Sequence, residues 1–338
     1  MKHFFKTMLF VLAIGSMMSC SSSDETDNER WDEDNEYASV RVSHEGTTVR
    51  LKQPGQLHQV ISLKNKKHYD RLIIRGQLNG TDILTLRELS GTNVTGDSVK
   101  CFIDTLDLSK SMIVAGGDIY YTNNSSAFGR TSDNVIGPNM FYRCGFTKLV
   151  LPYGVVRIEE SGLMNCYNLK EVEMSDNVTT FGISAFANCT KLEKLNLSKA
   201  LSTIGAYCFT NTQSLKSLTL PESMSIIPEY AFTLSGLEVF DCGNGVTDIR
   251  VGAFSNCKEL RSFTFGNKLA FINSRAFYNC TALRDIYANA MTPPEISENS
   301  FEGVQKETVT VHVNSYTIAD AYNNNMLWGR FGKITFSK

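Results

Sequence analysis

Beyond its first twenty residues the chain has no apolar run of the roughly 20 residues that a membrane-spanning helix needs. Histidine is scarce: His3, His44, His58, His68 and His312 are all there is, and none has a spaced partner in a zinc, triad or nucleotide motif. The sequence holds no P-loop, no G-x-G-x-x-G, no G-x-S-x-G, no C-x-x-C and no Cys/His cluster. The acidic pair Glu171/Glu173 falls on the outward side of an expected strand. Its carboxylates stand about 7 Å apart there, in water, without the burial that sets a catalytic pKa. No catalytic residue, metal or cofactor is therefore expected, and the chain is read as a non-enzyme.

An excess of charge of one sign is lacking too. The whole chain carries −2, but eight acids from Asp24 to Glu36 distort that figure. From Tyr37 onward there are 30 basic and 27 acidic residues, a net +3. A body this close to neutral excludes nucleic acid as the expected partner.

What the chain does have is a period. Phe141, Leu163, Phe186, Phe209, Phe232, Phe254, Phe277 and Phe301 follow one another at steps of 22, 23, 23, 23, 22, 23 and 24 residues, within the span of about 20–29 that marks leucine-rich repeats. Three residues after this position come Cys144, Cys166, Cys189, Thr212, Ser235, Cys257 and Cys280. Apolar triplets spaced L-x-x-L-x-L follow, as in Leu192/Leu195/Leu197 and Leu215/Leu218/Leu220. Each triplet alternates as a short strand. A second apolar pair, Leu201/Ile204, precedes a compact turn or single helical turn, Gly205–Phe209, that drives the aromatic inward. Asn165, Asn188, Asn211, Asn256 and Asn279 sit two residues past the aromatic slot, where asparagine tolerates left-handed backbone. No copy can bury its own apolar face, so stacked copies must share one core. The expected fold is an α/β repeat solenoid: a leucine-rich repeat array with one short parallel strand per ~23-residue repeat, capped at both ends.

Of the nine cysteines, five share one phase of this repeat. Strands about 4.8 Å apart bring neighbours within disulfide range, but the run Cys144, Cys166, Cys189 cannot pair off completely. Small apolar side chains filling a fixed slot explain the phase better, and free buried thiols are expected.

The ends read differently. Residues 1–20 have a positive start (Lys2, Lys6), a short apolar core and Ser19-Cys20. They resemble a bacterial lipoprotein signal, which makes Cys20 the lipidated residue; an ordinary secretory signal with an incidental cysteine is the other reading. Residues 21–38 form an acidic tether unable to bury enough surface to fold, similar to the stretch after the lipid cysteine in surface-exported Bacteroidetes lipoproteins. Residues 39–138 are an N-terminal cap region: Leu72-Ile73-Ile74 as a strand, Thr81 as the N-cap of a helix carrying Ile83, Leu86 and Leu89, then Leu106–Leu108 as a strand. The Gly-, Asn- and Ser-rich insertion Val114–Pro138 is either functional or folded into the cap. Repeats occupy 139–290, and 291–338 form an atypical last repeat and C-terminal cap, with Ser315 opening an amphipathic stretch.

The repeat form, clearest in Ile204–Met224 (IGAYCFTNTQSLKSLTLPESM), resembles the BspA-like leucine-rich repeat family over about residues 139–312. The resemblance implies a non-enzymatic, lipid-anchored protein of the outer membrane, exposed on the cell surface and engaged in adhesion or host-protein binding. It carries no residue motif for the partner. The candidate binding face is the outward row of the sheet: Lys148, Glu171, Glu173, Lys194, Asn196, Asp241, Asp285 and Tyr287. The expected partner is a protein or glycan macromolecule. A structural envelope component, or a glycan-capture lipoprotein with no host partner, is the alternative.

Overall fold

The computed structural model describes residues 33–34, 36–61, 67–123 and 128–336. The leader, Cys20 and the acidic stretch up to residue 32 lie outside these residues. No helix among the described residues is long and apolar enough to cross a membrane.

The chain winds as a solenoid, one winding per repeat, and each side of the winding follows from the sequence. On the first side lie short parallel strands. Lys148–Val150, Glu171–Glu173 and Lys194–Leu195 continue the longer strands Tyr69–Leu78 and Ile103–Ile113. Ser217–Thr219, Val239–Asp241, Ser262–Phe265, Asp285–Ala288, Thr310–Val313 and Lys333–Phe336 form a second parallel sheet. Alternation buries the middle residue of each strand, as at Phe240 between Val239 and Asp241. At the start, Glu33–Asp34 pairs antiparallel with the strand Ala38–Ser43, which forms a hairpin with Gly46–Leu51.

The leucine-rich repeat solenoid expected from the spacing forms, with one detail added. The expectation of one strand per repeat omitted a second, two-residue strand on the next side. Arg157–Ile158, Thr180–Phe181 and Thr203–Ile204 pair in one ladder, and Ile226–Ile227, Asp248–Ile249 and Phe271–Ile272 in another. Each carries the second member of the repeat's second apolar pair, as Ile204 of Leu201/Ile204. A strand this short has too little alternation to read from sequence.

The third side is turn rather than helix. Two residues per turn are left-handed: Asn165, Asn188, Asn211, Asn256 and Asn279 at φ between 58° and 63°, and a residue four earlier such as Ser161, Ser184 or Tyr207. This backbone aims the aromatic into the core. Phe186, Phe209, Phe232, Phe254, Phe277 and Phe301 stack as one column, with centroids 4.8–5.4 Å apart and planes within 7°. Leu163 ends the column, and Phe141 instead packs edge-on against Phe146 at 5.8 Å.

The eight cysteines among the described residues are free. Cys166, Cys189, Cys257 and Cys280 each aim Sγ at a carbonyl one winding back, on Phe141, Leu163, Phe232 and Phe254, at 3.0–3.2 Å. Burial pushes the Cys144 and Cys280 thiols well above their usual range and that of Cys242 up to about 12. At these values they are neutral, weakly polar fillers rather than nucleophiles.

The caps close both ends of the core. In the N-terminal helix Gly80–Leu89 the cap is Asn79, not Thr81. The Asn79 side chain accepts from Thr81 N at 3.1 Å, and Asp82 Oδ2 accepts from Asn79 N at 3.0 Å, a reciprocal capping box. The Thr81 hydroxyl donates instead to Asp118 Oδ2 at 2.8 Å. Asp118 lies in the insertion, whose described part folds down as the antiparallel pair Gly116–Thr122 and Phe128–Thr131. Tyr120 is fully buried, its hydroxyl 3.1 Å from the Pro138 carbonyl. Arg87 is buried beneath it and donates to the carbonyls of Asn139, Met140 and Asn93 at 2.7–2.9 Å. At the other end the Ser315 side chain caps the helix Tyr316–Asn323. Trp328 and Phe331 close over Phe301 at 5.9 and 5.2 Å, with Trp328 Nε1 donating to Pro294 O at 2.8 Å.

Because each ring touches the next, truncating one removes contacts on both sides. Phe254→Ala is expected to cost about 3–5 kcal/mol in chemical denaturation. Phe254→Leu, which copies Leu163, is expected to cost less than about 1.5 kcal/mol.

Candidate binding face

Parallel, in-register pairing places residues one repeat apart side by side on the outer surface of the first sheet. Lys148, Glu171 and Lys194 occupy equivalent places on three adjacent strands. Lys148 Nζ lies 3.1 Å from Glu171 Oε1 and also contacts the Glu173 carboxylate, while Lys194 Nζ lies 3.8 Å from Glu171 Oε2. Hydrogen bonding to Glu173 and Glu171 raises the Lys148 pKa, and Lys148 in turn lowers that of Glu171. A separate pair stands on the earlier strands, with Arg71 Nη2 2.6 Å from Asp107 Oδ2. Burial by itself would push the Asp107 carboxyl up; the Arg71 guanidinium and Ser109 outweigh it and hold the group below its ordinary value.

The C-terminal half of the face is different. Asp285 and Tyr287 are joined by His312 on the next strand. His312 Nε2 lies 2.7 Å from Asp285 Oδ1, and its ring stacks on Tyr287 at 4.5 Å and 12°. The sequence motifs give His312 no partner. The missing link was register: Tyr287 and His312 are paired across strands 25 residues apart, two longer than the usual step.

The remaining candidates stand apart. Asp241 Oδ1 accepts from Gly243 N at 2.9 Å, a turn-forming role. Asn196 lines a shallow cleft of about 320 Å³ with Ser217 and Thr219. Between the two halves the face carries mostly small side chains: Ser217, Thr219, Ser262 and Thr264.

A larger cleft of about 530 Å³ opens at the carboxyl ends of the strands beside the charged network, between Lys110, Val150, Tyr153, Glu173 and Met174. Tyr153, 73% exposed, was not among the expected site residues; its signal was the Leu151-Pro152 strand end immediately before it. Among the described residues one group has donor atoms placed for a metal ion. His68, Asp70 and Asp104 lie within 4.8 Å of one another, all three exposed to solvent.

The model of the BspA type leucine-rich repeat region matches residues 134–260 and 202–327, in six copies. The chain belongs to that family. Leucine-rich repeat proteins are generally binding scaffolds rather than enzymes, which suits a face with salt bridges and clefts. Similar solved structures include a leucine-rich repeat protein of Bacteroides ovatus ATCC 8483, at 14% identity and TM-score 0.37 over 91% of this chain and 100% of that one. A leucine-rich cell surface protein of Faecalibacterium prausnitzii A2-165 aligns at 14% identity and TM-score 0.36 over 93% and 96%. The leucine-rich repeat protein of T. pallidum aligns at 15% identity and TM-score 0.35 over 75% and 80%. No curated protein matches the chain.

Asp107 gives the face a measurable pH signature. A carboxyl with a lowered folded-state pKa contributes stability that is complete above its unfolded value, about 3.9, and is lost as pH falls through the folded value. Asp107→Asn is therefore expected to flatten the loss of stability below about pH 4 in denaturation series run from pH 6 downward. An unchanged acid limb would show that Arg71–Asp107 contributes nothing.

Proposed function

We propose that the protein is a lipid-anchored binding protein, displayed on the outer membrane, that recognises a macromolecule through the outward face of its solenoid. The observation that carries the reading is the register. It gathers side chains from Arg71 to Lys194 into a row on the first sheet, and from Ser217 to His312 into a row on the second. The charged network at one end and the Asp285–His312–Tyr287 group at the other are too far apart in sequence to arise from one loop. Such an extended surface suits a partner of comparable size. Its alternating signs favour a protein with complementary charges. Cys20 supplies the anchor in this reading, and the acidic stretch after it supplies reach. No catalytic role is assigned.

The Tyr287–His312 stack favours a second reading, glycan capture, because an exposed ring face suits a sugar ring. The purified body, tested against protein and glycan panels, separates the two. Lys148→Glu with Lys194→Glu is expected to weaken protein binding at least about tenfold, mostly through slower association, with the fold retained by circular dichroism at the binding temperature. Tyr287→Ala is expected to abolish glycan binding if glycan is the ligand. Absence of micromolar binding to either panel would overturn the recognition reading. The anchor has a separate test: Cys20→Ser is expected to eliminate labelling by a clickable fatty acid and release the protein from the membrane fraction.

A further inference from the structure

The bonds between successive windings are not uniform, and both strand ladders break at the same winding. The first-side ladder runs Lys148, Glu171, Lys194, stops, and resumes at Ser217 with Val239. The second-side ladder stops between Thr203–Ile204 and Ile226–Ile227, the same winding. The asparagine amides form a third ladder: Asn188 Nδ2 to Asn165 Oδ1 at 2.8 Å, Asn211 to Asn188 at 2.9 Å, and Asn279 to Asn256 at 2.9 Å. Leu234 stands where the next amide after Asn211 would be. The thiol-to-carbonyl bonds fail there as well. Thr212 turns to the carbonyl of its own Phe209 at 2.9 Å, and Ser235 pairs with Cys257 Sγ at 3.2 Å.

The turn side of the same winding is reinforced. Tyr207, Phe209 and Asn211 donate backbone N–H groups to Glu229, Ala231 and Thr233 at 2.7–3.1 Å. Thr210 Oγ1 reaches Tyr230 O at 2.9 Å. Phe209 stacks on Phe232 at 5.3 Å, and outside them Tyr207 stacks on Tyr230 at 5.1 Å. Both tyrosines are left-handed, at φ 59° and 55°, where other repeats place Ser161, Ser184 or Gly252. Bulky side chains are unusual in that conformation. At the far corner Ser223 Oγ still reaches Leu201 O at 2.5 Å, and Ser214 N reaches Thr190 O at 3.1 Å.

We infer that this winding is a seam at which the solenoid opens, with the Tyr207/Tyr230 and Phe209/Phe232 stacks as the pivot and Ser223 as the latch. Two sides of the winding have lost the ladder hydrogen bonds that resist separation, while the third loses its side-chain links but keeps its backbone hydrogen bonds and ring stacks, so opening is a rotation about the turn edge. The cleft between Asn196 and Thr219 is the mouth of the seam. Its consequence for recognition rests on the function proposed above. The seam lies between the charged network and the Asp285–His312–Tyr287 group, so its opening changes their spacing and lets one face fit partners of different curvature.

Hydrogen–deuterium exchange of the full mature chain without any ligand tests the seam, so its outcome is independent of whether a partner is found. Amides of Lys194–Leu197 and Ser217–Leu220 are expected to exchange at least about tenfold faster than those of Glu171–Met174 and Ser262–Phe265. Ser223→Ala is expected to widen that difference. Leu234→Asn with Ser235→Cys, which restores the amide and thiol bonds, is expected to narrow it. Equal protection across all four segments, or no response to either variant, would overturn the inference.

Discussion

Everything in this molecule depends on the fact that one repeat cannot satisfy itself. A single winding leaves an apolar side open to water and a row of backbone donors and acceptors unpaired along each edge, and only the neighbouring winding supplies what is missing. The phenylalanine column, the strand ladders, the asparagine amides and the thiol–carbonyl bonds are four solutions to this one problem, repeated at the same step. Stability in such an array is a sum of nearest-neighbour terms. Its distribution along the chain therefore matters as much as its total. A repeat that keeps the column but loses the other three remains folded and is held less firmly than its neighbours.

This explains which parts of the fold were legible in the sequence. The aromatic, cysteine and asparagine positions recur in phase because each makes the same contact in successive windings, so period alone revealed them. The departures Leu163, Thr212 and Ser235 were visible as exceptions, and Leu234 was not singled out. What they did to the bonds between windings needed three dimensions, because Thr212 still makes a hydrogen bond and only its partner has changed. The second strand was missed because two residues carry no alternation. At the helix Gly80–Leu89, Thr81 drew attention as a cap, while Asn79 two residues earlier, paired with Asp82, does the capping.

The candidate face was legible only as a row. Strand phase distinguished outward from inward positions, which was enough to choose Lys148, Glu171, Glu173 and Lys194, and the structure brings these four together. Phase does not distinguish a side chain committed to its own turn from one offered to solvent, and Asp241 is of the first kind. Nor does it reveal that a step of 25 rather than 23 residues sets His312 beside Tyr287. Arg87 lies beyond sequence reasoning altogether: a cation on a short helix gives no sign that it will be enclosed and held by three main-chain carbonyls.

The buried thiols carry a consequence of a different kind. Cysteine side chains aligned one winding apart, each buried and each occupied by a carbonyl, are shielded from reagents while the stack is closed. Once two windings part, their sulfurs meet solvent. The same residues give an experimenter a built-in sensor, since the rate at which each thiol takes up an alkylating label reports how often its own winding unzips.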